Sequence, residues 1–138
     1  MPTRKMGVDT LEILAQDSGP YDLIYSNQVF EHLEAPLQIL KQLSDQLNSN
    51  GLVYIRVPDG RGVESELLKG GWRPELDAIH PLEHINCFTR KSLIGMAQRA
   101  GLKHIQAPLR LDMTQLLGGL KREFNDRWLT THLFFRRP

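Results

Sequence analysis

Between Tyr21 and Pro58 the hydrophobic pattern changes period twice, and this change is the strongest constraint on the fold. Tyr21–Tyr25 is a near-continuous apolar run interrupted only by Asp22. A run without alternation predicts a strand covered on both faces, as in a parallel sheet. From Pro36 the apolar residues Leu37, Ile39, Leu40, Leu43 and Leu47 recur at helical spacing, with Gln38, Lys41, Gln42 and Asp45 falling between them. Asn48-Ser49-Asn50-Gly51 is expected to end that helix, Gly51 taking the left-handed terminal position. Leu52–Val57 is then a second strand, stopped by Pro58-Asp59-Gly60. A strand, a helix and a second strand in this order predict a crossover and a largely parallel sheet.

The flanking segments extend this pattern. Val8–Leu14 suits a short strand or a helical turn, and Asp17-Ser18-Gly19-Pro20 a turn. Residues Arg61–Asn86 hold three glycines, two prolines, Trp72 and two histidines without a sustained period. A loop of that length inside a compact domain is usually functional or disordered. Thr89 is an N-cap candidate for a helix through Leu93, Met96, Ala97 and Ala100, closed by Gly101. Lys103–Leu109 is expected as a strand interrupted at Pro108, Met113–Trp128 as a helix or loop broken by Gly118-Gly119, and Thr130–Phe135 as the last strand. The last two strands are expected to pair antiparallel. The fold class is therefore α/β, a mostly parallel sheet with an antiparallel C-terminal strand. One domain spans 1–138, divided into an N-terminal segment (1–20), strand-helix-strand (21–60), a long loop (61–88) and a C-terminal helix with strands (89–138).

Composition narrows the function classes. With 138 residues, 41% of them hydrophobic, the chain supports one core and not two. Seventeen basic residues balance sixteen acidic ones, and no basic block stands out except the terminal Arg136-Arg137. Neither a nucleic acid nor a membrane surface is expected as a partner. No apolar run reaches membrane-spanning length, and Met1–Met6 lacks the apolar stretch of a signal peptide. The single cysteine, Cys87, has no internal disulfide partner and is expected as a small buried apolar residue. A cytoplasmic location follows as the expectation.

Ligands of open α/β sheets bind beyond the carboxyl ends of the strands. Ser26-Asn27-Gln28 and Pro58-Asp59-Gly60 lie at two such ends, and amide and hydroxyl groups there can hydrogen-bond a polar ligand. The alternative role for Ser26 and Asn27 is to cap the following helix. For Glu31 and His32 the alternative is the exposed first turn of that helix, where a negative charge is favoured. His80-Pro81-Leu82-Glu83-His84 matches the His-x-x-Glu-His pattern of one zinc-peptidase class. That chemistry needs both histidines on one helical face, whereas Pro81 fits only a first turn in a loop-like context. No metal site is expected. His80 and His84 on a loop facing the crevice suit substrate contact or proton abstraction, because imidazole titrates near neutrality. Trp72 and Phe88 suit either a pocket wall or the core, and His104 and His132 receive no role.

The stretch "YDLIYSNQVFEHLEAPLQILKQLSDQLNSNGLVYIRVPDG" resembles the second half of a class I S-adenosylmethionine-dependent methyltransferase domain of the small-molecule type. The matching residues are Tyr21-Asp22-Leu23-Ile24, Val29-Phe30-Glu31-His32-Leu33, Pro36, Asn50-Gly51 and Val57-Pro58. "HPLEHINCFTRKSLIGMAQRAGL" and "LTTHLFFRRP" are similar to later segments of the same superfamily. The resemblance implies a Rossmann-like fold and S-adenosylmethionine as cofactor. It places Ser26, Asn27 and Gln28 beside the cofactor's methionine side, and His32, His80 and His84 as bases or substrate contacts. The family's first strand, Gly-x-Gly loop and ribose-binding acidic residue have no counterpart before Tyr21, and Gly60/Gly62, Gly70/Gly71 and Gly118/Gly119 do not replace them. Weak or absent cofactor binding by this chain alone is the expectation, with a non-catalytic interaction or scaffold domain as the alternative function. The outer edge of the Tyr21–Tyr25 strand is expected to pair with a second copy in a homodimer, or with the chain's own Thr3–Leu14.

Overall fold

The structure, a computed structural model, describes residues 19–70, 78–80, 83–106 and 130–138. β1 (Tyr21–Asn27) leads through a one-turn 3-10 helix (Phe30–His32) into α1 (Pro36–Asp45). β2 (Leu47–Pro58), α2 (Val63–Leu68), α3 (Arg90–Arg99), β3 (Lys103–Ile105) and β4 (Thr130–Arg136) follow. The four strands form one sheet in the order β1-β2-β4-β3. β1 and β2 are parallel, and β4 runs antiparallel to both β2 and β3. Three strands thus share one direction and the C-terminal strand opposes them, as the sequence predicts.

The core lies on one face of the sheet. Ile24 from β1, Val53, Ile55 and Val57 from β2, and Leu133 and Phe135 from β4 point into it. α1 covers them with Ile39, Leu40 and Leu43, and α3 with Leu93, Met96 and Ala97. Both helices start where the sequence places them. Pro36 occupies the first turn of α1, where its missing N–H costs nothing. Thr89 caps α3 in a reciprocal box: its Oγ1 accepts from the Ser92 amide at 3.2 Å, and Ser92 Oγ accepts from the Thr89 amide at 2.9 Å. Gly101 closes α3 with φ +77°.

Several expectations are corrected. β1 alternates: Ile24 and Ser26 are buried, whereas Leu23 and Tyr25 are 56% and 64% exposed, so the run is not covered on both faces. Tyr25 stacks on Tyr54 at 5.1 Å, and Tyr54 meets Phe134 at 4.7 Å, making an aromatic stripe on the second face. The predicted α1 terminus is also shifted. α1 stops at Asp45, and Leu47 already belongs to β2. Gly51 is not in the left-handed region but inside β2, where the register jumps from Tyr21↔Leu47 to Leu23↔Leu52. A Cβ on Gly51 would lie 2.7 Å from the Tyr21 carbonyl oxygen, so close strand approach, not a turn, requires glycine there. The loop Arg61–Asn86 contains the short helix α2, none of whose residues is buried. Cys87 is exposed rather than buried, while its neighbour Phe88 is in the core. Trp72, Val8–Leu14, Thr3–Leu14 as a substitute strand, residues 107–109 of the expected third strand and Met113–Trp128 lie outside the described residues. Among the described residues no strand pairs with the outer edge of β1, and no helix is long and apolar enough to cross a membrane.

Candidate functional site

The site grows from the carboxyl end of β1. Gln28 turns the chain out of the strand with φ +56°, a conformation uncommon for a residue with a Cβ, and its amide donates to the Arg56 carbonyl at 2.9 Å. Ser26, one residue before the strand end, is buried, and its hydroxyl has no hydrogen-bond partner in the protein. Asn27 and Gln28 are exposed. None of the three caps a helix: the 3-10 turn starts after Val29 and α1 after Ala35, neither with a side-chain cap. The capping alternative is thereby removed.

The 3-10 turn buries two consecutive residues, Phe30 and Glu31, each only 1% exposed. Phe30 joins the core. Glu31 is buried because the segment 83–88 closes over the turn, not because the turn is apolar. Asn86 is the clamp. Its amide donates to the Glu31 carbonyl at 3.0 Å. Its Nδ2 donates to the Leu33 carbonyl at 2.6 Å and, more weakly, to that of Phe30 at 3.4 Å. At the far end of the segment the Gly60 amide donates to the Phe88 carbonyl at 2.8 Å, fastening it to the end of β2.

The clamp assembles the three histidines named from the sequence. His32 Nδ1 donates to the Glu83 carbonyl at 2.7 Å. A carbonyl oxygen only accepts, so Nδ1 carries a proton and Nε2 is the ring nitrogen left facing the cluster. That Nε2 lies 3.9 Å from Glu31 Oε1. His84 meets His32 edge-on with ring centroids 4.8 Å apart. His80 lies 6.1 Å beyond His84 and places Nδ1 3.3 Å from Glu83 Oε2. His32 and His84 are half-buried and remain within reach of solvent. Glu31, with both carboxylate oxygens buried and unpartnered, lies beneath them. Burial pushes its pKa above the ordinary carboxylate value, and its own backbone amide, His32 and His84 pull the other way. The reading of Glu31 as an exposed helix start is therefore wrong.

Sequence reasoning missed Glu31 as a member of the cluster, and Asn86 altogether. The Glu31-His32 pair directly after a strand end was a usable signal. Nothing local marks Asn86, whose partners lie more than fifty residues away.

Comparison with known proteins gives a consistent family. Residues 2–107 match the family model described as "Methyltransferase domain". Over 52 residues the chain is 36% identical to trans-aconitate 2-methyltransferase of Rhizobium etli, a stretch that covers 38% of this chain and 20% of that relative. Among solved structures, it is similar to the methyltransferase in complex with a methyltransferase activator from Haloferax volcanii. That match has a TM-score of 0.56 at 16% identity and covers 88% of this chain and 56% of the other. Magnesium protoporphyrin IX methyltransferase from Synechocystis, solved with bound S-adenosylhomocysteine, matches with a TM-score of 0.51 at 15% identity, over 91% and 48% of the two chains. The chain thus spans about half or less of the length of these relatives, and at these identities the solved structures establish the fold alone.

Proposed function

The chain belongs to the methyltransferase-domain family, and we propose that it forms the carboxyl-terminal half of the site in a methyltransferase that uses S-adenosylmethionine to methylate a small molecule. The observation that carries the reading is the polar end of β1, where the buried, unpartnered Ser26 hydroxyl stands two chain positions before Gln28 and five before the Glu31 turn. An orphaned hydroxyl at a carboxyl strand end is suited to a polar ligand, and Asn27 and Gln28 add exposed amides beside it. The cofactor, when bound, supplies an electrophilic methyl group on a sulfonium. What remains for this chain is to align the acceptor and take up its proton. Ser26, Asn27 and Gln28 serve the cofactor side. His32, His84 and His80 serve as proton acceptors or acceptor contacts. A small-molecule acceptor agrees with the name of the Rhizobium etli relative.

A second reading, a non-catalytic interaction domain, draws on the place of β1 at the edge of the sheet among the described residues and on the exposed Leu23 and Tyr25. A two-fold dimer through that edge would satisfy its backbone groups. Calorimetric titration of the chain with S-adenosylmethionine separates the readings. The partial site is expected to bind with Kd weaker than about 10⁻⁶ M, and binding of that strength or tighter would show that this chain is not cofactor-deficient. No heat at millimolar cofactor, together with a dimer in sedimentation, would favour the interaction domain. A methylation assay on a longer form of the protein, with His80→Ala and His84→Ala, tests the bases. Unchanged kcat/KM in both removes them from the mechanism.

A further inference from the structure

We propose that Glu31, His32 and His84 form a site for one divalent transition-metal ion of the zinc class. This is not the site the His80–His84 sequence motif suggests, and it does not depend on the methyl-transfer reading. One ligand atom from each of the three residues lies within 4.8 Å of the others.

Three observations point to a cation there. First, Glu31 is 1% exposed and neither carboxylate oxygen has a hydrogen-bond partner. A buried unpaired carboxylate is costly, and native proteins neutralise it with a proton, a paired cation or a metal. Among the described residues no lysine or arginine forms an ion pair with Glu31, and His32, at 3.9 Å, is a counter-charge only when protonated. Second, the ring of His32 is oriented by its neighbour. With Nδ1–H donated to the Glu83 carbonyl, Nε2 faces Glu31 Oε1 at 3.9 Å. In the neutral ring this nitrogen carries the lone pair a metal ion needs, and it then faces the carboxylate across a gap suited to a cation. A backbone carbonyl on the far nitrogen is also the usual outer support of a metal-bound histidine. Third, His84 brings a second imidazole edge-on to His32 at 4.8 Å, and the clamp at Asn86 sets the backbone that carries it.

The ligand set selects the ion. Two imidazoles and one carboxylate suit zinc, cobalt(II) and iron(II) rather than calcium or magnesium, which prefer oxygen. Ligands at about 2.0–2.2 Å from one tetrahedral ion lie roughly 3.4 Å apart. Side-chain rotation of roughly an ångström closes the present spacing. Three protein donors leave a fourth position for water or for an oxygen of a ligand. The motif histidine His80 is outside this set, since it turns to Glu83 Oε2 at 3.3 Å.

The test is a Co²⁺ titration of the chelator-treated full chain, followed by d–d absorption and then by displacement with Zn²⁺. We expect saturation at one ion per chain and loss of the visible bands on adding Zn²⁺. Glu31→Gln keeps the shape and removes the charge, and His84→Ala removes a half-buried loop ligand. Each is expected to weaken Co²⁺ binding by at least about tenfold, the loss seen for even an outer-shell group. His132→Ala, in β4 and outside the cluster, is expected to bind as the native chain does. Circular dichroism checks each fold, and if Glu31→Gln unfolds, His84→Ala decides. Absence of stoichiometric Co²⁺ absorption in the native chain overturns the proposal. So does equal binding by native chain and His84→Ala, which would place the ion on other histidines.

Discussion

Replacing Asn86 tests the clamp that assembles the site. The Asn86 side chain donates twice, to Leu33 at 2.6 Å and to Phe30 at 3.4 Å, and both acceptors are backbone carbonyls of the 3-10 turn region. The shorter bond carries most of the effect, because the other is at the edge of hydrogen-bond geometry. A net hydrogen bond contributes about 1 kcal/mol, and the carbonyls are only partly buried, so water recovers some of the loss. Asn86→Ala is therefore expected to cost about 1–1.5 kcal/mol, roughly 4 °C in Tm for a chain this size. Asn86→Asp keeps the volume but turns a donor into an acceptor facing two carbonyl oxygens. It is expected to cost about 1 kcal/mol more than alanine, since an acceptor facing acceptors is left unsatisfied. The Asn86 backbone amide still holds Glu31, so the fold should survive in both. Urea denaturation followed by far-UV circular dichroism measures the difference. If aspartate proved as stable as alanine, or alanine as stable as the native chain, the side chain would not be fastening the loop.

Gly60→Ala is expected to destabilise by about 2 kcal/mol in the same assay, as overpacking does. Its Cβ would meet Cys87 Sγ and come within 3.0 Å of the Phe88 carbonyl oxygen, and the obstructing backbone also carries the Gly60–Phe88 hydrogen bond. Adding Cys87→Ala should recover only part of this loss, and full recovery would show that the sulfur is the sole obstacle. Thr89→Ala should cost about 1 kcal/mol by removing the acceptor for the Ser92 amide, and Thr89→Ser should restore most of it. His104 is pushed below its ordinary value of 6.5, first by burial and then by Arg90, whose guanidinium lies 3.3 Å from its Nε2. The folded state then binds the proton less well than the unfolded one. This contribution to stability is complete above about pH 6.5 and is lost as pH falls toward the folded pKa. Arg90→Gln should raise the His104 midpoint in an NMR titration without restoring it fully, because burial remains.

Much of the architecture was legible where local chemistry and tertiary context agree. α3 is marked by Thr89 at one end and Gly101 at the other, and the alternating burial of β2 is written in Val53, Ile55 and Val57. The failures have a common physical cause. A continuous apolar run such as Tyr21–Tyr25 states that residues are apolar, not that both sheet faces are covered, and here Leu23 and Tyr25 face outward. Asn48–Gly51 has turn chemistry, yet β2 absorbs it as an irregularity beside Tyr21, with the Asn48 side chain bonded to Asp22 at 2.5 Å. Pairing with β1 outweighs the local preference. In the site, the three histidines were legible as residue types, and their meeting was not. His32 and His84 are brought together by bonds between segments fifty residues apart.

Those bonds explain how a loop positions side chains closely enough for chemistry. The segment 83–88 is not a helix or a strand, but it is tied at three places to elements that are. Glu83 accepts from His32, Asn86 binds the 3-10 turn through both backbone and side chain, and Phe88 accepts from Gly60 at the end of β2. One residue later Thr89 caps α3, so the segment passes directly into a helix packed on the core. A segment fixed to the 3-10 turn, to Gly60 just beyond β2 and to α3 has little freedom to shift His84 relative to Glu31 and His32. Rigid support of this kind is what a ligand set or a proton-accepting group requires, because a displacement of about an ångström is enough to cost two orders of magnitude in rate.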